Sequence, residues 1–462
     1  MIRFGTPEGR GVIAATVLGS SVAFLDGTVV NVALPAIGAD FSAGLSGLQW
    51  VLTGYLLAMG SLMVLGGSLG DLFGRRRVYV GGLVAFTLAS LGCGIAPSLR
   101  MLVAARILQG VGAAALVPGS LAILSSVFHP EDRAQAIGLW SGLAGASTAV
   151  GPFLGGWMID AVSWRLIFLL NAPLVGAAVA MAVRHIPETR DNDTSPRVDF
   201  GGALFLALGL GSVVYALIEG PATRWGSGAV VSAAIGAVSL LVFVAIERTI
   251  PSPLVPLAIF RSRSFVGANA VTFAVYGALG AVLFLVSVHL QRNLGYSALE
   301  AGAATIPVTF LTMALAARSG RWSARHGARG NMVVGPLILA ASFGAFRTIA
   351  PGDRYATGVL PAVLLLGAGL VVLVAPLTAT VLSSVRDGRA GVGSAVNNAV
   401  ARIASLLAIA VLPALAGIVD TGPSLARGFP RAMSICAIAC VIASMLSAAT
   451  IERRSDTPPV PP

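Results

Sequence analysis

Three charged side chains stand deep inside long apolar stretches of the chain: Asp26, Arg106 and Arg402. An ionised group in hydrocarbon is costly unless it is paired, protonated or facing water, so its default interpretation is functional. At 1.5 Å per helical residue, Asp26 lies about 21 Å and Arg106 about 28 Å from the helix ends on one side of the membrane. An arginine side chain is long enough to span the difference between these two depths. We therefore predict that Asp26 binds a proton and that protonation breaks its contact with Arg106. The simpler alternatives are a hydrogen bond between Asp26 and a neighbouring helix, and an Arg106 that extends to the surface.

The composition is that of a protein that crosses a membrane many times. The 462 residues are 56% hydrophobic and 11% charged, with a mean hydropathy of +0.88, which soluble domains of this size do not reach. The net charge of +11 does not indicate nucleic-acid binding, because the basic residues are scattered through short loops. The sequence has no Lys and no His-Glu-x-x-His motif. We therefore expect no ATP-binding loop, no metal, no cofactor and no enzymatic activity, and an ion gradient as the energy source.

Fourteen apolar runs of about 18 or more residues are long enough to cross a bilayer as helices. Six precede a polar connector, two follow it, and six more complete the chain. The sequence thus predicts an all-α membrane fold with an N-terminal six-helix bundle at 1–184, a connector with two extra helices at 185–264, a C-terminal six-helix bundle at 265–450 and a disordered cytoplasmic tail at 451–462. The runs cover 12–36, 48–69, 78–96, 101–125, 134–159, 165–183, 200–218, 229–246, 265–290, 298–317, 332–349, 356–384, 391–416 and 430–449.

A charged turn with three consecutive arginines separates the second run from the third. It resembles the loop signature of the major facilitator superfamily, although Leu72 and Tyr79 depart from the usual pattern. The resemblance implies that Asp71 latches two halves of a transporter together on the cytoplasmic side, with Arg75 as its partner. The alternative is a generic positively charged turn. The matching positions are Gly67, Leu69, Asp71, Gly74, Arg75 and Arg76.

A degenerate copy of this turn recurs later in the chain. Gly320 and Gly327 take the places of two of its glycines, although Ala324 replaces the acid. A second echo relates the segment that follows Pro118 to the one that follows Pro376. Duplicated six-helix halves with a cavity between them near the midplane are a common transporter architecture. The two runs between the halves fall outside the repeat, and they resemble the inserted helix pair of the fourteen-helix drug:proton antiporter family.

The fifth run contains Gly-Pro-x-x-Gly-Gly near its end, formed by Gly151, Pro152, Gly155 and Gly156. This motif resembles the one that separates exporters from importers within the superfamily, with Ser147 in place of one further glycine. Small residues let another helix approach closely, and proline permits a bend. The resemblance implies an exporter, and the alternative is ordinary small-residue helix packing.

Polar side chains within the apolar runs are candidates for lining a substrate cavity. Arg402 either meets an anionic or carbonyl-bearing substrate there or ties helices together. The other candidates are equally suited to hydrogen bonds between helices. His289 lies near a helix end and is expected to be solvated. The cavity candidates are Asn31, Gln49, Tyr55, Gln109, Asn171, Asn269, Tyr276, Asn397, Asn398 and Arg402.

Arginines are concentrated in the loops on the side of both termini, which predicts cytoplasmic termini in the cell membrane. Together with the resemblance, this predicts a monomeric proton-coupled antiporter that exports amphipathic or toxic small molecules, such as drugs or antibiotics, by alternating access. Its partners are the substrate, protons and the lipid bilayer. Because no acid besides Asp26 lies deep in the runs, we expect little preference for dications and a neutral or anionic substrate. The alternatives are a proton-coupled symporter of a small metabolite with the same fold and a non-transporting membrane receptor.

Overall fold

The computed structural model describes residues 1–190, 199–250, 253–385 and 390–451. Fourteen helical segments in these ranges are long and apolar enough to cross a membrane, which confirms the predicted number. We call them spans 1 to 14 in chain order. They are Pro7–Asp40, Leu45–Phe73, Arg75–Gly94, Leu99–Val127, Pro130–Ala161, Leu166–His185, Phe200–Ala222, Ser227–Thr249, Arg263–Asn293, Ala298–Ser323, Ala328–Phe346, Val359–Ser383, Val392–Leu415 and Pro423–Thr450.

The helices extend beyond the apolar runs because polar caps and amphipathic ends belong to them. Span 1 begins at Pro7 rather than at residue 12, since the Thr6 hydroxyl accepts a hydrogen bond from the Gly9 amide at 3.1 Å. Three spans consist of two helices in succession, and a short 3-10 helix at Leu257–Arg261 precedes span 9. The broken spans contain Leu99–Ala113 and Leu116–Val127, Leu166–Leu169 and Asn171–His185, and Ala298–Ala303 and Ile306–His326.

Spans 1 to 6 and spans 9 to 14 form two halves that are joined by hydrogen bonds toward one end of the bundle. We call the end at which span 1 begins the terminus side and the opposite end the far side. The Ser287 hydroxyl of span 9 donates to the Asn31 carbonyl of span 1 at 2.9 Å, and the Asp160 carboxylate of span 5 accepts from the Leu299 amide of span 10 at 2.8 Å. Among the described residues, the hydrogen bonds that join the halves all lie toward the far side. The halves are therefore held together there.

Spans 7 and 8, which follow the connector, lie beside the junction of the two halves. Span 7 packs on spans 2 and 13, where Val214 and Ile218 join a buried cluster with Leu406 of span 13. The Trp50 indole of span 2 donates to the Glu219 carboxylate of span 7 at 3.0 Å. Span 8 packs on span 7 and leaves most of its own surface outside the bundle. Residues 191–198 of the connector and 452–462 of the predicted tail lie outside the described ranges.

The sequence repeat corresponds to a repeat in backbone geometry. Gly74 directly follows span 2 and has φ +110°, and Gly327 directly follows the helix Ile306–His326 of span 10 and has φ +88°. Both angles lie in the region that glycine adopts without strain, which explains the glycine in each copy of the turn. A Cβ on Gly67 would contact Pro118 at 3.6 Å, and one on Gly320 would contact Ala375, beside Pro376, at 3.7 Å. The two turns thus pack on equivalent helices of their own halves.

We predict that Gly74→Ala lowers the stability of the protein by about 1–2 kcal/mol, because an alanine at this φ is strained and its Cβ would lie 2.5 Å from the Glu188 carboxylate. Gly81→Ala is the matched control: Gly81 is helical and has nothing within 4 Å of an added Cβ. The control should be neutral or slightly stabilising. Thermal unfolding of both purified variants measures this, and an equal shift in both would contradict the strain argument.

Candidate functional site

Asp26 and Arg106 form an ion pair that is closed off from solvent. Their side chains are 0% and 1% exposed, and an Arg106 Nη1 donates to Asp26 Oδ2 at 2.5 Å. The Gln109 amide donates to the second carboxylate oxygen, Oδ1, at 2.9 Å. Both oxygens of an ionised carboxylate are thereby used as acceptors. A protonated Asp26 would have to give up one of these bonds, because its own O–H would face a donor.

Arg106 ties three spans of the first half together. Its Nε donates to the Val51 carbonyl of span 2 at 3.1 Å, and its guanidinium carbon lies 4.3 Å from the centre of the Tyr55 ring. The Tyr55 hydroxyl in turn donates to the Ala23 carbonyl of span 1 at 3.3 Å. Removing one partner of a buried pair costs about 3–5 kcal/mol because it leaves an uncompensated charge. The arrangement of spans 1, 2 and 4 therefore depends on the charge of Asp26.

A chain of neutral polar groups continues from this pair toward span 6. The Gln109 amide also donates to the Ser90 hydroxyl at 3.2 Å, and the Asn171 amide donates to the same oxygen at 2.9 Å. The buried Oδ1 of Asn171 has no hydrogen-bond partner among the described residues. The sequence points to Gln109 and Asn171 but not to Ser90, because a lone serine in an apolar helix carries no distinguishing signal.

A cavity of about 140 Å³ lies in the second half, between spans 9, 12 and 13. Arg402 of span 13 faces it and is partly buried. Its guanidinium carbon lies 6.0 Å from the centre of the Phe24 ring of span 1. No described residue forms a hydrogen bond or an ion pair with the Arg402 side chain. The lining residues are Tyr276, Thr378, Val381, Leu382, Ser394, Asn397, Asn398, Ala401, Arg402 and Ser405.

The cavity thus gathers four of the ten predicted lining residues: Tyr276, Asn397, Asn398 and Arg402. The sequence does not point to the hydroxyl groups of the cavity, which belong to Thr378, Ser394 and Ser405, or to the neighbouring Phe24. Such residues are scattered through all the apolar runs, so only the packing distinguishes those that face the cavity.

Other predicted cavity residues form hydrogen bonds to neighbouring helices or within their own helix in this structure. The Gln49 amide donates to the Ile409 carbonyl at 2.7 Å, which joins span 2 to span 13. The Asn31 amide bonds to carbonyls of its own helix, and Asn269 Oδ1 accepts from Asn397 at 3.1 Å. The contact with substrate that the sequence suggests for these residues stays a prediction, as it does for Tyr55, Gln109 and Asn171.

The charged turn forms a compact ion-pair cluster on the terminus side. Asp71 accepts from Arg75 at 2.8 Å, the contact expected from the sequence. Glu188, from the segment after span 6, accepts from the Arg76 amide at 3.1 Å and lies 3.7 Å from the Arg77 guanidinium. The sequence does not predict this contact of Glu188. The described partners of Asp71 and Glu188 all lie in the first half, so a latch between halves stays a prediction for Asp71.

The Gly-Pro-x-x-Gly-Gly motif forms two close helix contacts on the far side. A Cβ on Gly155 would lie 1.9 Å from Val29 of span 1, three residues after Asp26, and one on Gly151 would lie 2.7 Å from Thr28 Oγ1. A Cβ on Gly156 would lie 2.4 Å from the Ala298 carbonyl oxygen of span 10. Pro152 also contributes, since its carbonyl oxygen faces Gly302 of span 10. The motif thus seats span 5 against span 1 and against the other half.

The expectation that His289 is solvated is wrong. Its side chain is 5% exposed and stacks on Phe429, with ring centres 4.0 Å apart and planes 4° from parallel. The Asn293 amide lies 2.9 Å from His289 Nδ1. The His289 ring is buried although it lies near the end of span 9, because span 14 covers it.

We predict that Gly156→Ala weakens the far-side contact between the halves by about 1–3 kcal/mol, because the added methyl group meets backbone atoms rather than a movable side chain. The measurement is the rate at which a cysteine introduced at Leu299, next to the contact, reacts with a water-soluble maleimide; the rate should rise. Gly142→Ala in the same helix is the control, since nothing lies within 4 Å of its added Cβ. Equal rates in the two variants would refute the proposed contact.

Comparisons with known proteins agree on one family. The sequence profile of the Major Facilitator Superfamily matches residues 16–409. The chain is 36% identical over 402 residues to the multidrug resistance protein Stp of Mycobacterium tuberculosis, covering 87% of this chain and 74% of that protein. It is 36% identical over 405 residues to the methylenomycin A resistance protein of Streptomyces coelicolor (87% and 84% covered), and 34% identical over 413 residues to the cephamycin export protein CmcT of Amycolatopsis lactamdurans (87% and 85%).

Solved structures share the fold at low sequence identity. A POT family transporter in complex with a thioalcohol-conjugated peptide superposes with a TM-score of 0.73 at 12% identity, covering 96% of each chain. A D-xylose-proton symporter superposes with a TM-score of 0.68 at 15% identity, covering 96% of this chain and 98% of the other. These similarities establish the architecture of two helical halves and do not bear on the substrate.

Proposed function

The chain belongs to the Major Facilitator Superfamily, and on that premise we propose that it is a proton-coupled antiporter that exports amphipathic or toxic small molecules from the cell. The buried network of Asp26, Arg106 and Gln109 carries this proposal. The similarity to resistance and export proteins supports transport out of the cell rather than uptake. No cofactor is part of the proposal, and the energy comes from the proton gradient.

Asp26 acts as the proton carrier because its two charge states require different surroundings. The ionised carboxylate is held by Arg106 and Gln109. A proton on Asp26 removes one of these bonds and leaves the Arg106 charge without its partner, at a cost of several kcal/mol. A free-energy change of that size is enough to invert the populations of two conformations. Protonation therefore biases the two halves toward the other facing state of an alternating-access cycle.

The loops on the terminus side carry most of the arginines, which supports a cytoplasmic location for that side and an outward location for the far side. The far-side contacts between the halves then close the outer end, and the cavity beside Arg402 belongs to a state that faces the cytoplasm. This state accepts substrate from inside the cell, as an exporter requires. We propose that the protein works as a monomer in the cell membrane.

We predict that Asp26→Asn abolishes transport driven by a pH gradient, reducing the rate at least about a hundredfold, because an amide of similar size cannot carry the proton. The measurement is substrate efflux from proteoliposomes with an imposed pH gradient, together with uptake of protons. Asp353→Asn, in an exposed far-side loop, is the control. A variant Asp26→Asn that exports at the wild-type rate under the same gradient would rule out the assignment.

The proposed orientation is tested by labelling single cysteines in intact cells with a membrane-impermeant maleimide. Thr357→Cys on the far side should react, whereas Glu8→Cys on the terminus side should react only after the cells are permeabilised. The native Cys93, Cys436 and Cys440 are all buried and give a low background. The reverse labelling pattern would invert the topology and the direction of transport.

A further inference from the structure

We propose that the cavity in the second half recognises substrates through a carboxylate or another anionic oxygen group, which binds to Arg402. This inference rests on the proposed export function and names its substrate class. Arg402 faces the cavity, is partly exposed to it, and has no hydrogen bond or ion pair with any described residue. A guanidinium in the middle of a membrane-spanning helix is stabilised by an anionic partner or by water. Its planar set of donors matches a carboxylate in geometry as well as in charge.

The charges in the middle of the bundle favour an anion over a cation. Asp26 is 0% exposed and both of its oxygens are occupied by Arg106 and Gln109. It therefore offers no charge to a cationic substrate while the ion pair is intact. Among the described residues that line the cavity, Arg402 is the one that carries a charge. The cavity therefore has a positive potential. Like charge repels a cation, and a dication more strongly.

The other walls of the cavity suit the rest of an amphipathic anion. Tyr276, Asn398 and Thr378 supply neutral polar groups, and Val381 and Leu382 supply apolar surface. The volume of about 140 Å³ is smaller than the pockets of about 300–1,000 Å³ that enclose whole drug-sized ligands. The cavity is thus sized for the charged head of a substrate, and the remainder of the molecule would lie along span 1, where the Phe24 ring faces Arg402.

Span 1 connects this anion site to the proton site. Phe24 and Asp26 are two residues apart, and consecutive helical residues are separated by about 100°, so the two side chains leave nearly opposite faces of the helix. Phe24 faces Arg402 in the second half, and Asp26 faces Arg106 in the first half. An anion bound at Arg402 and a proton bound at Asp26 therefore act on the same helix from its two sides.

The test measures binding of two probes that differ only in charge: 1-pyrenebutyrate, a carboxylate, and 1-pyrenebutanol, its neutral alcohol. Each is titrated into the purified full-length protein at neutral pH without a gradient, and energy transfer from tryptophan reports binding. We expect the carboxylate to bind about tenfold or more tightly than the alcohol, the ratio that a charge-assisted hydrogen bond provides. Arg402→Gln should remove this preference, and Arg402→Lys should keep most of it. Arg354→Gln, in an exposed loop, is the control.

Thr378→Glu gives a second readout that keeps position 402 intact, because a carboxylate added to the cavity wall would pair with Arg402 and should also remove the preference. Equal affinity of the wild type for both probes, or a preference that survives in Arg402→Gln, would overturn the proposal. Binding without a gradient does not depend on proton coupling. If transport is not coupled to protons but the protein still binds the carboxylate more tightly than the alcohol, only the antiport proposal is rejected. If transport is coupled to protons but the protein shows no preference for the carboxylate, only the anion site is rejected.

Discussion

The arrangement of the first half depends on an ion pair that has no access to solvent. Asp26 and Arg106 are both buried, and each would be strongly destabilising without the other. The pair is further bonded to Gln109 and to the Val51 carbonyl, and Arg106 lies over the Tyr55 ring. A change in the charge of the pair therefore alters contacts of spans 1, 2 and 4 together. In the mechanism that we propose, a single proton on Asp26 acts on all three of these helices of the first half, which can then move as one rigid body.

Close packing connects the Asp26 and Arg106 pair to the interface between the halves. The glycines of span 5 bring it against span 1 within one turn of Asp26, and Gly156 brings the same span against the Ala298 backbone of span 10. Span 1 also reaches the second half through Asn31 and Phe24. A shift of span 1 relative to span 4 therefore cannot remain local, because tightly packed helices have few intermediate arrangements.

The sequence was sufficient for the architecture but not for the cavity. Hydropathy predicts fourteen spans because each must fill the bilayer, and the repeated glycines at positions 74 and 327 predict two equivalent turns because only glycine suits their backbone. The contact between Asp26 and Arg106 could be predicted from the sequence, because opposite charges within the hydrocarbon are stable when they pair. The sequence does not indicate the contacts of Glu188 and Ser394, and it wrongly predicts that His289 is solvated. The surroundings of all three residues come from segments that are distant in sequence.

The central claim is that the protonation of Asp26 sets the relative position of the two halves. Its most direct test is the distance distribution between spin labels at the exposed far-side residues Val162 and Val419, measured by double electron–electron resonance as a function of pH. The account predicts a pH-dependent shift between two distances in the wild type and a pH-independent distribution in Asp26→Asn. The same pH-dependent shift in Asp26→Asn would contradict it.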